Sequence, residues 1–432
     1  MSRCLLLVHN HAARGSYFRA VKIGKLLAQR GHRVRIAFVS ERLKYRPAYR
    51  IDSADTKNTT PFEMPGTEWL RAAPEITNTP AIEWAEMPNF TFVNSHQEGW
   101  SLFDIFARCR DVFTGKWDLV YAFSHKPDCI LPAIVARLVG AKVIVDWADW
   151  WGGSEGLYQQ CVLPSGEFES LPRPLRWIRR MVFALESFWE PHATRVGHVV
   201  TLITSEFLRH PRAPRAIAEK TLVLPTGATV DSISVREKGE CRRELNLEIQ
   251  PDEIVFGYLA NFHMAETLLL EAFAKVCKES DRPVRLLVAG APLEATSPEI
   301  HRDIGGRLHH RGWIPFTAVE TFLGACDALL LPLNDIDLDR ARYPHKLSDY
   351  MASDRPIIAC DVGATGQHFR DGLPGTITPA TPEGFANGML QFIANPELQT
   401  ASTRQAAKLN FNWDSLMEEL ATFIKSKTNL HL

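Results

Sequence analysis

The 432-residue chain is short of the features that would place it quickly. It has no excess of charge: 49 Lys and Arg stand against 50 Asp and Glu, leaving a net charge of -1. That balance removes the electrostatic case for a nucleic-acid partner. The eight cysteines, at 4, 109, 129, 161, 241, 277, 326 and 360, include no Cys-x-x-Cys pair. They read as reduced, packed thiols rather than a disulfide frame. No apolar run approaches the roughly 18 residues of a spanning helix. "CLLLV" near the start is too short for a secretory h-region and runs straight into "HNHAARGS". A soluble, cytoplasmic protein is expected, with peripheral contact to the inner face of a membrane left open. Gly-x-Ser-x-Gly, His-Glu-x-x-His and Walker patterns are missing as well. The histidines, including "HHRG" at 309–312, lack partnering acids at ligand spacing, so no metal site is expected.

What is present is ordinary in composition, with 45% apolar and 23% charged residues. The length exceeds one core, so two domains are expected. "RCLLLV" (3–8), a loop with Gly15, an apolar stripe from 18 to 27 ending at Gly31, and "RVRIAFVS" (33–40) form a strand-helix-strand unit. The rhythm returns through "DLVYAFS" (118–124), "ILPAIVARLVG" (130–140), "KVIVDW" (142–147), "VVTLITS" (199–205) and "KTLVLPTG" (220–227). A second series begins near 254 with "IVFGYLA" and continues through "VRLLVAG", "LHHRGWI", "ALLLPL" and "PIIACDV". The fold class is therefore α/β, two Rossmann-like doubly wound domains. The first spans 1–205, with an irregular Pro-, Trp- and Thr-rich excursion at 45–100. The second spans 206–410, and an amphipathic helix occupies 411–432.

In open α/β sheets, ligands sit beyond the carboxyl ends of strands, where helix N-termini present N–H groups. Two helix starts stand out. Gly15 lets the backbone approach a ligand and Ser16 can cap the helix, although a plain βα turn also needs that glycine. In "ARYPHKLSDYMASDRPIIACD" (341–361), Pro344 suits a first helical turn. The amides of His345, Lys346 and Leu347 then face an anion, ringed by Arg340, Arg342, His345 and Lys346. Asp349, a turn further in, is placed to accept hydrogen bonds from a ribose diol. The alternative is a solvated basic helix start, but cations there oppose the helix dipole unless an anion joins them.

"YPHKLSDYMASDRPIIACDVG" resembles the donor segment of retaining, GT-B-fold glycosyltransferases of the group-1 (family 4-like) type. "GSYFRAVKIGKLLAQRGHRVRI" resembles that family's first glycine loop, "DLVYAFSHKP…ARLVGAKVIVDWADWW" its acceptor-side unit, and "HHRGWIPFTAVETFLGACDALLLPL" the run before the donor helix. The resemblance implies two domains facing a cleft, with the terminal helix crossing back to the first. It also implies a nucleotide-diphosphate sugar as co-substrate and no metal or other cofactor, with helix N-termini and basic side chains holding the diphosphate. Transfer would retain configuration, the leaving phosphate accepting the acceptor's proton. By position, Asp349 matches the ribose-binding acid, Lys346 the phosphate site, and Asp149 the acceptor hydroxyl. His125 and Lys126 end a strand on the same side, so that Asp149 and His125 are the catalytic candidates and Gly15, Ser16 and Lys126 those of an acceptor-side or diphosphate loop.

The chain departs from the family where two glutamates are usual, having Ala341 and Asp349. The usual Arg and Lys after the second domain's first strand are absent, and Asn261 and His263 stand there. Arg340 or Arg342 would then supply the missing charge. "RPLRWIRRMVFALESFW" (173–189) is a basic, aromatic helix that either covers the core or docks on a membrane to reach a lipid-linked glycan. The acceptor, whether sugar, lipid-linked glycan or small molecule, is not named by the sequence. Two other readings stay open: a non-catalytic relative that binds a sugar nucleotide or a partner enzyme, and a sugar-nucleotide 2-epimerase.

Overall fold

In the computed structural model, residues 1–11, 15–40, 82–88, 99–164, 166–260, 264–291, 293, 297–396 and 401–432 are described. Strand β1 (Arg3–His11) is a Leu- and Val-rich run whose Leu5, Leu6 and Leu7 are completely buried. A strand apolar on both faces belongs in a parallel sheet covered by helices on each side. Around it stand β2 (Arg33–Ser40), β3 (Ile82–Pro88), β4 (Leu119–Ala122), β5 (Lys142–Trp147), β6 (Val199–Leu202) and β7 (Thr221–Val223). They pair in parallel in the order β3-β2-β1-β4-β5-β6-β7. Helices α1 (Ser16–Gln29), α2 (Leu102–Gly115), α3 (Pro127–Leu138) and α4 (Arg173–Ala193) accompany this sheet.

The second sheet comprises β8 (Ile254–Ala260), β9 (Val284–Gly290), β10 (Leu308–His310), β11 (Ala328–Leu331), β12 (Ile357–Cys360) and β13 (Thr376–Thr378). Its order, β10-β9-β8-β11-β12-β13, repeats the doubly wound pattern in which the winding reverses beside the first strand. Helix α5 (Glu266–Glu279) buries Leu269, Leu270 and Phe273 in a core shared with Phe256 and Leu286. The two-domain α/β architecture read from the sequence is the one observed.

The chain divides into a first unit, Met1–Pro225 with Asp414–Leu432, and a second, Thr226–Trp413. The first runs past 205 because β7 pairs with β6, Val200 opposite Thr221. The terminal helix, Trp413–Thr428, is held to α1 by Arg30, which is 3.2 Å from Glu418. Within the stretch read as an irregular excursion, 82–88 is instead an edge strand, Val34 opposite Ile82. It is easy to miss because an edge strand packs one face only: Ile82 is buried and Glu83 exposed. The remainder of 45–98 lies outside the described residues.

All eight cysteines are free. Burial, with Asp118 nearby, pushes the Cys4 thiol up to about 12, so it packs as a small apolar group. No described helix is long and apolar enough to cross a membrane.

Among the described residues, the first unit buries three ion pairs: Arg19–Asp146 at 3.0 Å, Arg108–Asp128 at 3.0 Å and Lys126–Glu186 at 2.9 Å. Arg19 grips Asp146 with two nitrogens and donates a third bond to the Pro225 carbonyl, while Thr201 Oγ1 donates to Asp146 at 2.5 Å. Removing one partner strands a buried charge. Arg19→Ala should therefore cost about 3–5 kcal/mol in chemical denaturation, and Arg19→Met with Asp146→Leu should cost less than either single change. A loss under about 1 kcal/mol for Arg19→Ala would show that the pair is not buried from water.

Candidate functional site

In the second unit the chain passes from β11 into a short helix, α6 (Asp337–Ala341), and then α7 (His345–Ser353). Both follow the strand at which the winding reverses, where this topology opens a crevice. Pro344 takes the N-cap position of α7, one residue ahead of the first turn, and no side chain caps the helix. Its carbonyl accepts the Leu347 N–H at 2.9 Å. Of the three amides expected to face an anion, Leu347 is therefore bonded within the turn. His345, half-buried, begins the helix.

The Lys346 ammonium lies 4.1 Å from the centroid of the Tyr258 ring on β8. Burial and the Arg342 guanidinium push its pKa well below the usual lysine range, against the opposing pull of Asp339. Arg342 Nε is 2.8 Å from Asp339 Oδ1, and the other Asp339 oxygen accepts the Asn334 N–H at 2.7 Å. Arg340 differs: it is ion-paired with Asp335 at 2.7 Å and Asp337 at 3.4 Å. Of the two arginines, Arg342 is the one whose charge bears on Lys346. Asp349, on the Lys346 face of α7, accepts a 2.8 Å bond from Thr229 Oγ1. Burial lifts its carboxyl to about 6, and the Thr229 bond offsets this only in part.

One glycine of this site drew no attention in the sequence. Gly363 opens α8 (Gly363–Arg370) at φ 48°, and a Cβ there would come within 2.2–2.5 Å of the Arg340 backbone. The start of α8 thus lies against the turn that carries Arg340, which only glycine permits. Asn261 and His263 lie outside the described residues. Among the described residues no cluster of three or more His, Cys, Asp or Glu is arranged to hold a metal ion.

In the first unit, Gly15 occupies the N-cap of α1 at φ 49°. Ser16 is the first helical residue and does not cap; its N–H and hydroxyl donate to Asn10 Oδ1 at 3.1 and 2.5 Å. Asn10, from β1, does the work expected of Ser16. A Cβ on Gly15 would press on that asparagine at 3.1 Å.

His125 and Lys126 follow β4, and Lys126 is the N-cap of α3. The Lys126 ammonium donates to both Glu186 oxygens, at 3.0 and 2.9 Å, and to the Tyr158 hydroxyl. It also sits 4.2 Å from the Trp151 ring centroid. Lys126 is therefore engaged inside the protein, a use that its position in the sequence did not reveal. The buried His125 is held neutral: desolvation, then Lys126 and His9, lower its pKa well below the usual value. Its Nε2 has no hydrogen-bond partner.

Asp149 lies half-buried in the turn after β5. Glu190, on α4, shapes that turn. Its carboxylate accepts from the Trp147 indole at 2.9 Å, the Trp151 N–H at 3.0 Å and the Gly152 N–H at 2.8 Å. Trp147 and Trp150 pack in the interior against Phe207 and His210, whereas Trp151 meets His9 and His125 edge-on. Of these three tryptophans, only Trp151 keeps partial exposure.

Residues 253–395 match the family described as glycosyl transferases group 1. No curated protein matches the chain. Among solved structures, sucrose-phosphate synthase from Thermosynechococcus elongatus is 14% identical with a TM-score of 0.65, covering 99% of each chain. HepE from Anabaena, in complex with UDP and glucose, is 14% identical with a TM-score of 0.63, over 99% of this chain and all 100% of its own. WaaG, a glycosyltransferase involved in lipopolysaccharide biosynthesis, is 15% identical with a TM-score of 0.63 and the same coverage. At these identities the likeness is one of fold, the two-domain GT-B architecture.

The Asp349 carboxyl makes a checkable demand. Its folded pKa of about 6 stands above the ordinary carboxylate value, so its contribution to stability is present below about pH 4 and is lost as pH rises through 6. Asp349→Asn keeps an acceptor for Thr229 and cannot ionise. It should stabilise the ligand-free protein by about 3 kcal/mol well above pH 6, a gain that fades to nothing below pH 4. Thermal unfolding of both proteins from pH 4 to 8 measures this; a pH-independent difference would mean that Asp349 is not desolvated.

Proposed function

We propose that the protein is a retaining glycosyltransferase that moves a hexosyl group from a nucleotide-diphosphate sugar to an acceptor, without a metal. The observation that carries this reading is the pair Lys346 and Asp349 on the first turns of α7, both held away from their comfortable charge states. Perturbed titratable groups at a strand-end crevice are the mark of a binding site. The pair lies inside the segment that matches the group 1 glycosyl transferases.

In this reading Lys346, the α7 amides and Arg342 meet the diphosphate, with His345 beside them and Arg340 a lesser contributor because of its two acids. Asp349 accepts the ribose hydroxyls, and Asn261, next in sequence after β8, is assigned to the donor as well. In the first unit, Asp149 and His125 serve the acceptor, Gly15 and Ser16 offer close backbone, and Lys126 acts through Glu186. The leaving phosphate takes the acceptor's proton as the new glycosidic bond forms, so the two bond changes occur on one face and configuration is kept. The cations of α7 support a site that works without a divalent ion. The protein would act in the cytoplasm, meeting the membrane through 173–189.

Ala341, fully buried where the family has a glutamate, favours a second reading in which a sugar nucleotide binds without turnover. The test is a thermal-shift panel of UDP, GDP, ADP, CMP and dTDP sugars on wild type and Asp349→Ala. Uridine sugars come first, since HepE is described with UDP and glucose. Ligand at 100 times its Kd adds about 2.7 kcal/mol of stability. One base should raise the midpoint by several degrees, and Asp349→Ala should abolish the rise. No shift with any base overturns the proposal, and a shift without slow donor hydrolysis or transfer favours the non-catalytic reading.

A further inference from the structure

Helices α2, α3 and α4 of the first unit enclose an open cavity of about 280 Å³, walled by Leu102, Ile105, Ile130, Leu131, Leu185 and Trp189. The lining also includes Trp100 and Glu186, which carry polar groups. They are mated to each other, the Trp100 indole donating to Glu186, and the carboxylate also holds Lys126 at 2.9 Å. A sugar or a peptide backbone entering here would lose its hydration with no hydrogen bond from that pair in return. A helix, about 10–12 Å across, is too thick for such a volume. A hydrocarbon chain loses nothing.

The rim continues the same chemistry outward. Leu102, Leu131 and Leu185 are exposed at its edge, beside Phe103 and Phe106 on α2 and Phe188, Met181 and Trp177 on α4. Phe106 is 72% and Trp177 64% exposed, which is unusual for side chains of this size. The stretch of α4 from 173 to 185 has no acid, and besides the buried Arg179 it carries Arg173, Arg176 and Arg180. Apolar surface with a cationic flank matches an amphiphile whose head group is anionic.

We infer that this cavity takes the single hydrocarbon chain of an anionic amphiphile. If sugar transfer holds as proposed above, the acceptor is lipid-linked. Its chain would lie against the Lys126–Glu186 pair, next in sequence to His125. The chain that fills the cavity is then also what brings the hydroxyl to the acceptor side.

The probe is lysophosphatidylglycerol with a brominated acyl chain, titrated below its micelle concentration while tryptophan fluorescence is followed. Saturable quenching is expected, tightening about fourfold for each added methylene until the cavity is full and then levelling off. Leu102→Glu and Leu185→Glu, both at exposed positions, should weaken it tenfold or more and leave the nucleotide-sugar thermal shift unchanged. A neutral single-chain glycoside of equal length should bind more weakly. Quenching that is unsaturable, or equal in both variants, overturns the inference. So does binding to phosphatidylglycerol vesicles alone that falls with Trp177→Ala but not with Leu185→Glu, since α4 would then be a membrane-resting surface without a chain site. Equal affinity for the neutral glycoside overturns the anionic half. Chain binding with no nucleotide shift would sink the transfer reading and leave the cavity standing; a nucleotide shift with no chain binding would do the reverse.

Discussion

A parallel sheet covered by helices on both faces has no wet side, and the rest of this protein follows from that constraint. A polar side chain near such a sheet must stand at a strand end or find a partner in the interior. The first unit does both. Asp146 on β5 meets Arg19 on α1, Asp128 at the start of α3 meets Arg108 on α2, and Lys126 meets Glu186 on α4. Each pair joins a helix to a strand end or to a neighbouring helix. Buried pairs of this kind add little net stability but are costly to mismatch. They act as keys that admit one placement of each helix on the sheet.

The second unit uses the same constraint in a different way. Its polar groups at the winding reversal are left at odds with their surroundings: a lysine over an aromatic ring beside an arginine, and a carboxylate met by one hydroxyl. In a purely structural corner such discomfort would be relieved by pairing. Here the two groups share a helix face and do not neutralise one another. Leaving both groups short of partners costs the fold stability that pairing would have supplied.

Much of the fold was legible in the sequence. Strands that are apolar on both faces leave unbroken runs such as "CLLLV" and "ALLL", and glycine breaks mark the turns between them. The helix start at 344–349 was legible because proline, cations and an acid stand together in the chain. What was not legible depends on partners far apart in sequence. Thr229 reaches Asp349 across 120 residues, and Glu186 reaches Lys126 across 60. Asp339 looked like one acid among several in "NDIDLDRAR", yet it is the buried one while Asp335 and Asp337 hold Arg340 at the surface. Ser16 looked like a cap because serine often is one; Asn10, six residues earlier on the strand, had the better geometry.

Helix α4 ties several of these threads together. Glu186 and Glu190 stand one turn apart on its buried side, one holding the loop after β4 and the other the turn after β5. Two such grips fix not only where the helix lies but how it is rotated about its own axis. With 3.6 residues per turn, a single inserted or deleted residue within that turn would swing one glutamate by about 100° relative to the other and release a loop. Substitutions on the outer face carry no such penalty. The packing of the helix thus tolerates changes in what it shows to its surroundings, but not in its length between those two positions.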